Sequence, residues 1–143
     1  MDIARLIAAR DPAQIVTCPP GATVRQAVQL LAEKRIGALP VTSGGQVTGI
    51  FSERDVLYRI AEEGEACLER QVGEVMTSPP ITIAPEATFI EALELMTRRR
   101  IRHLPVLRGP AMVGFISIGD IVKARIDEIS AEAEHMRQYI QTA

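Results

Sequence analysis

Apolar residues recur at helical spacing in two segments of the chain, one after Thr23 and one after Thr88. Their i, i+3, i+4, i+7 positions are typical of an amphipathic helix with one buried face. These positions are Val24, Ala27, Val28 and Leu31 in the first segment, and Phe89, Ala92, Leu93 and Met96 in the second. Each segment also opens with a capping box, Thr23-x-x-Gln26 or Thr88-x-x-Glu91, which satisfies free backbone donors of a first helical turn. The pattern therefore predicts two helices with matching boundaries.

Short apolar runs flank each predicted helix. Residues 15–17 and 81–83 are predicted to be short strands that precede the helices. Residues 38–42 and 47–51 are predicted to be two strands joined by a glycine-rich turn, with a similar pair in the second half. A further helix is predicted to begin near Ser52 and near Ser117. Each half therefore has the order strand–helix–strand–strand–helix, which is an α/β (α+β) fold class.

The two halves are copies of one repeat, related by a shift of 65 residues. The shift aligns Leu39-Pro40-Val41 with Leu104-Pro105-Val106, and Ser52 and Asp55 with Ser117 and Asp120. About a third of the aligned positions are identical, and no gap is needed from residue 17 to about residue 60. Since neither copy is long enough to bury both faces of its sheet, we expect the copies to pack as a pseudo-two-fold pair.

This repeat divides the chain into five predicted segments: an N-terminal cap over 1–14, repeats over 15–61 and 75–126, a linker over 62–74 and a C-terminal helix over 127–143. The C-terminal helix extends the last helix of the second repeat. Its apolar stripe is formed by Ile126, Ile129, Ala133, Met136 and Ile140. Because its polar face mixes acids with bases, we interpret it as a packing or dimer element rather than a membrane binder.

Composition narrows the function classes. Of the 143 residues 47% are hydrophobic but only 3% are aromatic, so the core must be aliphatic. A net charge of −2 gives no basic surplus for nucleic acid, and no apolar run is long enough to span a membrane. The N-terminus is too short and too charged for a signal peptide, which predicts a cytoplasmic protein. Cys18 and Cys67 lack metal-ligand spacing and are expected to be reduced thiols.

The Ser-x-x-Asp pairs at the starts of the last helices, Ser52 with Asp55 and Ser117 with Asp120, admit two interpretations. Ser is a favoured N-cap and the acid three residues later completes a capping box, so both pairs could be purely structural. A helix N-terminus also attracts anions, and a neighbouring carboxylate can accept the hydroxyl groups of a ribose. The presence of two matching pairs favours a ligand role for at least one of them.

A basic cluster lies between the second helix and its following strand: Arg98, Arg99, Arg100, Arg102 and His103. It could be a solvated helix end or a phosphate clamp, since Arg donates in a fork that matches phosphate. Consecutive arginines cannot all face one way, so Arg102 and His103 are the better candidates. Where the first repeat has Arg54 and Gly37, the second has Gly119 and Arg102, which predicts two unequal sites.

The segments RIGALPV and GIFSERD in the first copy, and RIRHLPV and GFISIGD in the second, resemble the CBS domain (cystathionine-β-synthase domain). The tandem pair resembles a Bateman module of the small, stand-alone bacterial type. Residues 75–80 resemble the lead-in that often precedes such a repeat, whereas the first copy has Arg10-Asp11-Pro12 near that position. The resemblance covers about residues 10–126, so we expect no attached catalytic or transporter domain.

The resemblance implies nucleotide sensing. CBS pairs commonly bind AMP, ADP or ATP, and some bind NAD or S-adenosylmethionine, in a cleft between the repeats. Backbone near the first strand and the Leu-Pro strand holds the adenine, and the Ser-x-x-Asp pair holds ribose and phosphate. Carried over by position, the nucleotide-binding residues are Val16, Gly37, Ala38, Pro40, Ser52, Arg54 and Asp55 in the first copy, and Ile81, Arg102, His103, Pro105, Ser117 and Asp120 in the second.

The residues and the resemblance admit several function classes. The leading hypothesis is a regulatory sensor in signal transduction or energy sensing, in which an adenine nucleotide modulates a regulated protein or a homodimer. The alternative is a structural interaction module with degenerate ligand sites. An enzyme is disfavoured because no triad, P-loop or metal set is present in the sequence, so no catalytic residue, metal or catalytic cofactor is predicted. A role with nucleic acid or a membrane is the weakest hypothesis.

Overall fold

Both halves of the chain end in the same helix–strand–strand–helix succession in the computed structural model, which describes residues 1–142. The first half contains α1 (Ile3–Ile7), a 3₁₀ turn (Pro12–Gln14), α2 (Val24–Lys34), β1 (Ala38–Ser43), β2 (Gln46–Ser52) and α3 (Glu53–Glu63). The second contains a 3₁₀ helix (Gly64–Glu69), α4 (Val72–Val75), α5 (Phe89–Arg99), β3 (His103–Arg108), β4 (Ala111–Ser117) and α6 (Ile118–Thr142). The predicted fold class is confirmed.

The helices begin where the capping pattern predicts. Thr23 and Thr88 are the N-caps of α2 and α5, and both capping boxes are complete. Both helices end on an arginine in the left-handed region, Arg35 with φ +53° and Arg100 with φ +56°. Glycine is the usual residue in this conformation because it has no Cβ to clash. The backbone is therefore strained at two equivalent arginines, each of which lies between a helix and the strand that follows it.

Each repeat contributes one antiparallel hairpin. β1 pairs with β2 and β3 with β4, and the registers are equivalent, with Ala38 opposite Ser52 and His103 opposite Ser117. The Gly44-Gly45 turn uses φ values of +60° and +81°, which favour glycine. The register places each Ser-x-x-Asp pair beside the residue that opens the Leu-Pro strand. Both ends of the predicted ligand motif therefore meet at one end of each hairpin.

The predicted strands at 15–17 and 81–83 are wrong: each is reduced to a single parallel bridge, Cys18 with Val41 and Ile83 with Val106. Proline explains this limit. A further strand hydrogen bond before Cys18 would need a backbone N–H from Pro40, and one after it would need a backbone N–H from Pro20. Proline has no backbone N–H. Pro105 and Pro85 block the equivalent hydrogen bonds in the second repeat.

The segments that precede each repeat are exchanged between the two cores. Ile3 and Ile7 of α1 are buried with Phe89 and Leu104 of the second repeat. Val72 and Val75 of α4 are buried with the first-repeat residues Val24, Leu39 and Phe51. The predicted linker over 62–74 therefore contributes two fully buried residues to the core, Cys67 and Val72. The exchange fastens the repeats to each other.

Two glycines accept these exchanged segments. A Cβ on Gly114 would lie 2.8 Å from Ile7 Cγ2, and a Cβ on Gly49 would lie 2.5 Å from Met76 Sδ. Both glycines occupy equivalent positions in β4 and β2. The absence of a side chain at these positions therefore lets each lead-in pack directly on the opposite hairpin.

The last helix leaves the body of the molecule. Ile121 is buried in the second-repeat core, whereas every described residue of α6 from Ile129 onward is exposed. Within residues 1–142, no helix combines the length and apolar character needed to cross a membrane.

Candidate functional site

The two hairpins meet through β2 and β4, and a cleft opens on each side of this contact. We name the clefts after the carboxylate in each, the Asp55 cleft and the Asp120 cleft. The first has a volume of about 590 Å³ and the second about 710 Å³, both within the range of small-molecule sites. Each cleft is lined by residues of both repeats, so a ligand in either would bridge the pair.

The Asp55 cleft combines the start of α3 with the second repeat. Its polar and charged lining residues are Ser52, Glu53, Arg54, Asp55, Thr77, Arg99, Arg100, Arg102, His103 and Ser117. Its remaining lining residues are Gly37, Ala38, Ile50, Tyr58, Pro80, Ile81, Ile101 and Ile118. Four arginines against two carboxylates give it a positive balance. The lining therefore combines apolar side chains with basic and hydrogen-bonding ones.

The Asp120 cleft combines the start of α6 with the N-terminal segment and the first repeat. Its lining residues are Ala9, Arg10, Asp11, Pro12, Gln14, Ile15, Val16, Arg35, Ile36, Gly37, Ala38, His103, Val113, Gly114, Phe115, Ser117 and Asp120. Two arginines are balanced by two carboxylates. The predicted inequality of the two sites therefore has a structural counterpart in their charge.

The structure shows how the predicted residues group, which the sequence left open. Val16 shares a cleft with Asp120, and Ile81 shares one with Asp55, so each Ser-x-x-Asp pair faces the first segment of the other repeat. Gly37, Ala38, His103 and Ser117 line both clefts.

The structure does not bring Pro40 or Pro105 to either cleft. Both side chains are buried within the strands, and their carbonyls accept hydrogen bonds from the backbone N–H groups of Cys18 and Ile83. The structure therefore gives these prolines a part in the strand pairing, and their ligand role remains a prediction.

Asp55 is held by three hydrogen bonds. Its Oδ2 accepts from the Ser52 backbone N–H at 2.9 Å and from Ser52 Oγ at 3.1 Å, and its Oδ1 accepts from Thr77 Oγ1 at 3.0 Å. The bond from the Ser52 N–H, with the return bond from the Asp55 N–H to Ser52 Oγ, forms the capping box of α3. The third ties the carboxylate to the lead-in of the second repeat. Sequence analysis missed Thr77, although it lies in the 75–80 segment singled out there.

The arginines of the Asp55 cleft divide into two groups. Arg54 donates from its guanidinium to the Arg100 carbonyl at 2.7 Å and so reaches across to the end of α5. Arg99, Arg100 and Arg102 line the cleft, whereas Arg98 does not. The expectation that the three consecutive arginines face different ways agrees with this placement. Tyr58, also missed from the sequence, adds an aromatic ring one turn beyond Asp55.

Asp120 is paired with Arg10 of the N-terminal segment. The Arg10 guanidinium lies 3.2 Å from Asp120 Oδ1, and the Ser117 backbone N–H donates to Oδ2 at 2.8 Å. Burial by itself would raise the pKa of Asp120, but the bonds from Ser117 and Arg10 outweigh it and hold that pKa below its ordinary value. Sequence analysis did not select Arg10 as a site residue, because its contact with Asp120 spans most of the chain.

His103 lies between the two clefts and stacks on Phe115, with ring centroids 5.6 Å apart. Burial first, and then the charge of Arg102, lower the pKa of His103 below its ordinary value, against opposing effects of Asp120 and Glu53. The lowered pKa favours the uncharged form of the imidazole ring, which lines both clefts.

Neither thiol is prepared for reaction. Cys18 is buried, and burial raises its pKa to about 11, so it is protonated at neutral pH. Cys67 is fully buried and free. Among residues 1–142, no group of three His, Cys, Asp or Glu side chains is arranged to hold a metal ion.

The two repeats exchange their leading segments and form two clefts between them. This arrangement is typical of the class of tandem-repeat ligand modules. The family model for the CBS domain matches residues 7–62 and 72–127. The chain belongs to the CBS domain family.

Similar proteins include both plant and bacterial chains. CBSX3, a mitochondrial CBS domain-containing protein of Arabidopsis thaliana, is 38% identical over 129 residues, which cover 87% of this chain and 63% of CBSX3. The chain thus spans less than two thirds of that relative. The crystal structure of the CBS-domain protein ATU1752 from Agrobacterium tumefaciens is 36% identical with a TM-score of 0.82, covering 87% of this chain and 99% of that one.

Two less similar structures share the fold and hold ligands. CBSX2 in complex with AMP has 22% identity and a TM-score of 0.74, covering 88% of this chain and 96% of that chain. The CBS domain pair of MJ0100, in complex with 5-methylthioadenosine and S-adenosyl-L-methionine, has 19% identity and a TM-score of 0.77, covering 90% of this chain and 98% of that chain.

Proposed function

We propose that the chain is a regulatory module that binds an adenine nucleotide, AMP, ADP, ATP or NAD, in the Asp55 cleft. One observation carries the proposal: a carboxylate at the N-terminus of the 11-residue helix α3 faces a cluster of arginines across a cleft built by both repeats. A nucleotide has a polar sugar between an apolar base and an anionic phosphate. The cleft offers partners for all three.

The adenine is assigned to the apolar lining residues. Ile50, Ile81 and Ile101 line the cleft together with Pro80 and Tyr58. Backbone groups at Gly37 and Ala38 lie on the same cleft and can donate to or accept from the edge of a base. Burial of a planar base against branched aliphatic side chains removes apolar area from water, which is the main source of affinity for such ligands.

The ribose is assigned to Asp55. The Asp55 carboxylate accepts three hydrogen bonds from donors of this chain, and it can accept a ribose hydroxyl in the same way. Thr77 is exposed, so its hydroxyl can be released to water when a ribose hydroxyl replaces it at Oδ1. The backbone donor at Ser52 stays in place and keeps the carboxylate oriented. The capping interpretation and the ligand interpretation therefore apply to different oxygens of the same group.

The phosphate is assigned to the arginines. Arg54 of the first repeat is held by the Arg100 carbonyl, and Arg102 of the second repeat is exposed. Charge-assisted, bidentate bonds from guanidinium to phosphate are among the strongest polar contacts available to a protein. The N-terminus of α3 adds a partial positive charge at the same end.

The Asp120 cleft is proposed to bind more weakly. Arg10 occupies the Asp120 carboxylate through an ion pair, and the cleft has no charge surplus to attract phosphate. A ribose would have to displace Arg10 before it reached Asp120.

Regulation follows if the ligand prefers one arrangement of the repeats. A nucleotide bound to Asp55 on one repeat and to Arg102 on the other favours the state in which both contacts form. The shift in population between the two arrangements of the repeats depends only on the difference in the ligand's affinity for them. The AMP complex of CBSX2 and the adenosyl complexes of MJ0100 support an adenine ligand for a pair with this fold.

A structural interaction module is the second candidate, and it is favoured by a specific observation. Asp55 and Asp120 both have complete sets of intramolecular partners, so both helix starts are explained without any ligand. On this alternative, the clefts are grooves left by packing, and partner proteins bind elsewhere.

Isothermal titration separates the two candidates. Wild-type protein is titrated with AMP, ADP, ATP, NAD, S-adenosylmethionine and adenosine, and the titrations are repeated with Asp55→Asn and Asp120→Asn. We expect saturable binding of at least one nucleotide, which Asp55→Asn weakens and Asp120→Asn leaves nearly unchanged. Absence of heat and of thermal stabilisation at millimolar concentration for every compound would refute the proposal in favour of the structural module.

A further inference from the structure

The C-terminal helix α6 carries an apolar stripe that its own chain leaves uncovered. The stripe consists of Val122, Ile126, Ile129, Ala133, Met136 and Ile140. Ile126 is 56% exposed and Ile140 is 69% exposed. These values are high for large apolar side chains placed in regular succession along one helix.

The stripe is distinct from the face that docks α6 on the second repeat. That face uses Ile118, Ile121 and Ala124, which belong to or pack against the second-repeat core. At 100° per residue, the six stripe residues fall within an arc of about 80°. Ile118 lies at one edge of this arc, and Ile121 and Ala124 lie about 60° and about 120° beyond that edge, so the docked face adjoins the stripe without covering it. The stripe runs about 27 Å along the axis. Because most helical stability in proteins comes from packing of an amphipathic face, a partner on the stripe would stabilise the exposed part of α6.

The spacing of the stripe indicates the kind of partner. Successive members are separated by four, three, four, three and four residues, which is the a/d pattern of a heptad repeat. Ile126, Ala133 and Ile140 take the a positions. A surface helix that docks on a globular partner shows a wider stripe with a period of 3.6 residues. A stripe with the strict period of 3.5 residues can pack along an identical stripe, so it matches a second copy of the same helix.

The flanking charges set the direction of the pairing. With this assignment Glu132 is a g residue, and Lys123 and Arg137 are e residues. In a parallel pair, Glu132 of each copy lies opposite Arg137 of the other, which gives two attractive pairs. In an antiparallel pair, Glu132 would face Glu132 and Lys123 would face Arg137, so both contacts would be repulsive. Arg137 is exposed, and its contact with Glu134 on its own helix is long at 3.6 Å.

We propose that α6 forms a parallel, two-stranded coiled coil with α6 of a second copy of this chain. β-Branched residues at two of the three a positions favour two strands. The pairing would place the second repeats of the two copies side by side at one end of the coiled coil. This inference depends on α6 alone and does not require the nucleotide proposal.

The oligomeric state tests the surface. Light scattering with size exclusion, at tens of micromolar full-length chain, should give the mass of a dimer. The double variant Ile129→Glu and Met136→Glu places two charges on d positions and should give a monomer. The matched control, Ala131→Glu with Gln138→Glu, adds the same charge on the opposite face and should remain a dimer. An unchanged thermal midpoint of the repeats in both variants would show that the body stays folded.

Charge exchange tests the direction. Glu132→Arg and Arg137→Glu should each weaken the dimer by several-fold, and the double exchange should restore it. In an antiparallel pair Arg137→Glu would instead remove the repulsion with Lys123 and strengthen the dimer, whereas Glu132→Arg would leave like charges opposite each other. A dimer strengthened by Arg137→Glu would therefore overturn the parallel assignment. A monomeric wild type, or a dimer that survives the double d-position variant, would overturn the coiled coil. A trimeric mass would overturn the two-stranded assignment.

Discussion

Replacement of Asp55 by alanine separates the two functions assigned to this carboxylate. The change removes the acceptor for the Ser52 N–H and for the Thr77 hydroxyl, which are 2.9 Å and 3.0 Å away. Loss of the capping interaction costs about 1 kcal/mol, and loss of the exposed Thr77 bond adds up to about 1 kcal/mol. For a chain of this size the thermal midpoint should therefore fall by about 2–8 °C.

The effect on ligand affinity should be larger than the cap alone explains. A charge-assisted bond from ribose to carboxylate contributes about 1.5–3 kcal/mol, so the dissociation constant of the nucleotide should rise about 10–140-fold. Titration calorimetry well below the thermal midpoint measures this change on folded protein. The expected result is a protein that folds normally and binds poorly.

Glu91→Ala is the matched control. Glu91 completes the capping box of α5 by accepting from the Thr88 N–H at 3.1 Å, and it lies outside both cleft linings. It should lose about 1 kcal/mol of stability with no change in affinity. If Asp55→Ala and Glu91→Ala changed stability alike and neither changed nucleotide binding, Asp55 would be only a helix cap and the ribose assignment would be refuted.

Three other perturbations probe separate parts of the account. Arg54→Ala should weaken AMP several-fold more than adenosine in parallel titrations, and equal losses would exclude a phosphate contact. Gly49→Ala should cost about 1–3 kcal/mol in urea unfolding, because its Cβ would lie 2.8 Å from a backbone oxygen. Gly21→Ala, with open space around it, should cost little, and equal costs would contradict the exchanged packing. Because the pKa of His103 is lowered in the fold, the unfolding free energy should fall as pH drops below about 6.5, where the unfolded state gains the proton first. His103→Gln should reduce that dependence in urea titrations at several pH values, and an unchanged dependence would contradict the lowered pKa of His103.

The features that could be predicted from the sequence are those fixed by local chemistry. The caps at Thr23 and Thr88 depend on residues three positions apart, so their positions follow from the residues alone. The hairpin turn at Gly44-Gly45 requires positive φ, which glycine signals directly. The 65-residue repeat extends this local information over both halves. The segment boundaries predicted at the repeat ends remain predictions.

The features that the sequence did not determine depend on contacts between distant segments. The bridge at Cys18 is limited by Pro40, and this limit becomes visible only when the pairing register is known. The partner of Asp120 is Arg10, 110 residues away. The exchange of α1 and α4 between the cores likewise determines the grouping of the site residues. It sets which first segment faces which Ser-x-x-Asp pair. No residue spacing within one repeat contains that information.

Methyl-resolved NMR of isoleucine-labelled protein tests the central claim most directly, because the two clefts carry different isoleucines. Ile50, Ile81, Ile101 and Ile118 line the Asp55 cleft, whereas Ile15 and Ile36 line the Asp120 cleft. Upon titration with AMP, the account predicts saturable ring-current shifts at the first four methyl signals and little change at the other two. Shifts confined to Ile15 and Ile36, or no shift at any of the six at millimolar AMP, would contradict it.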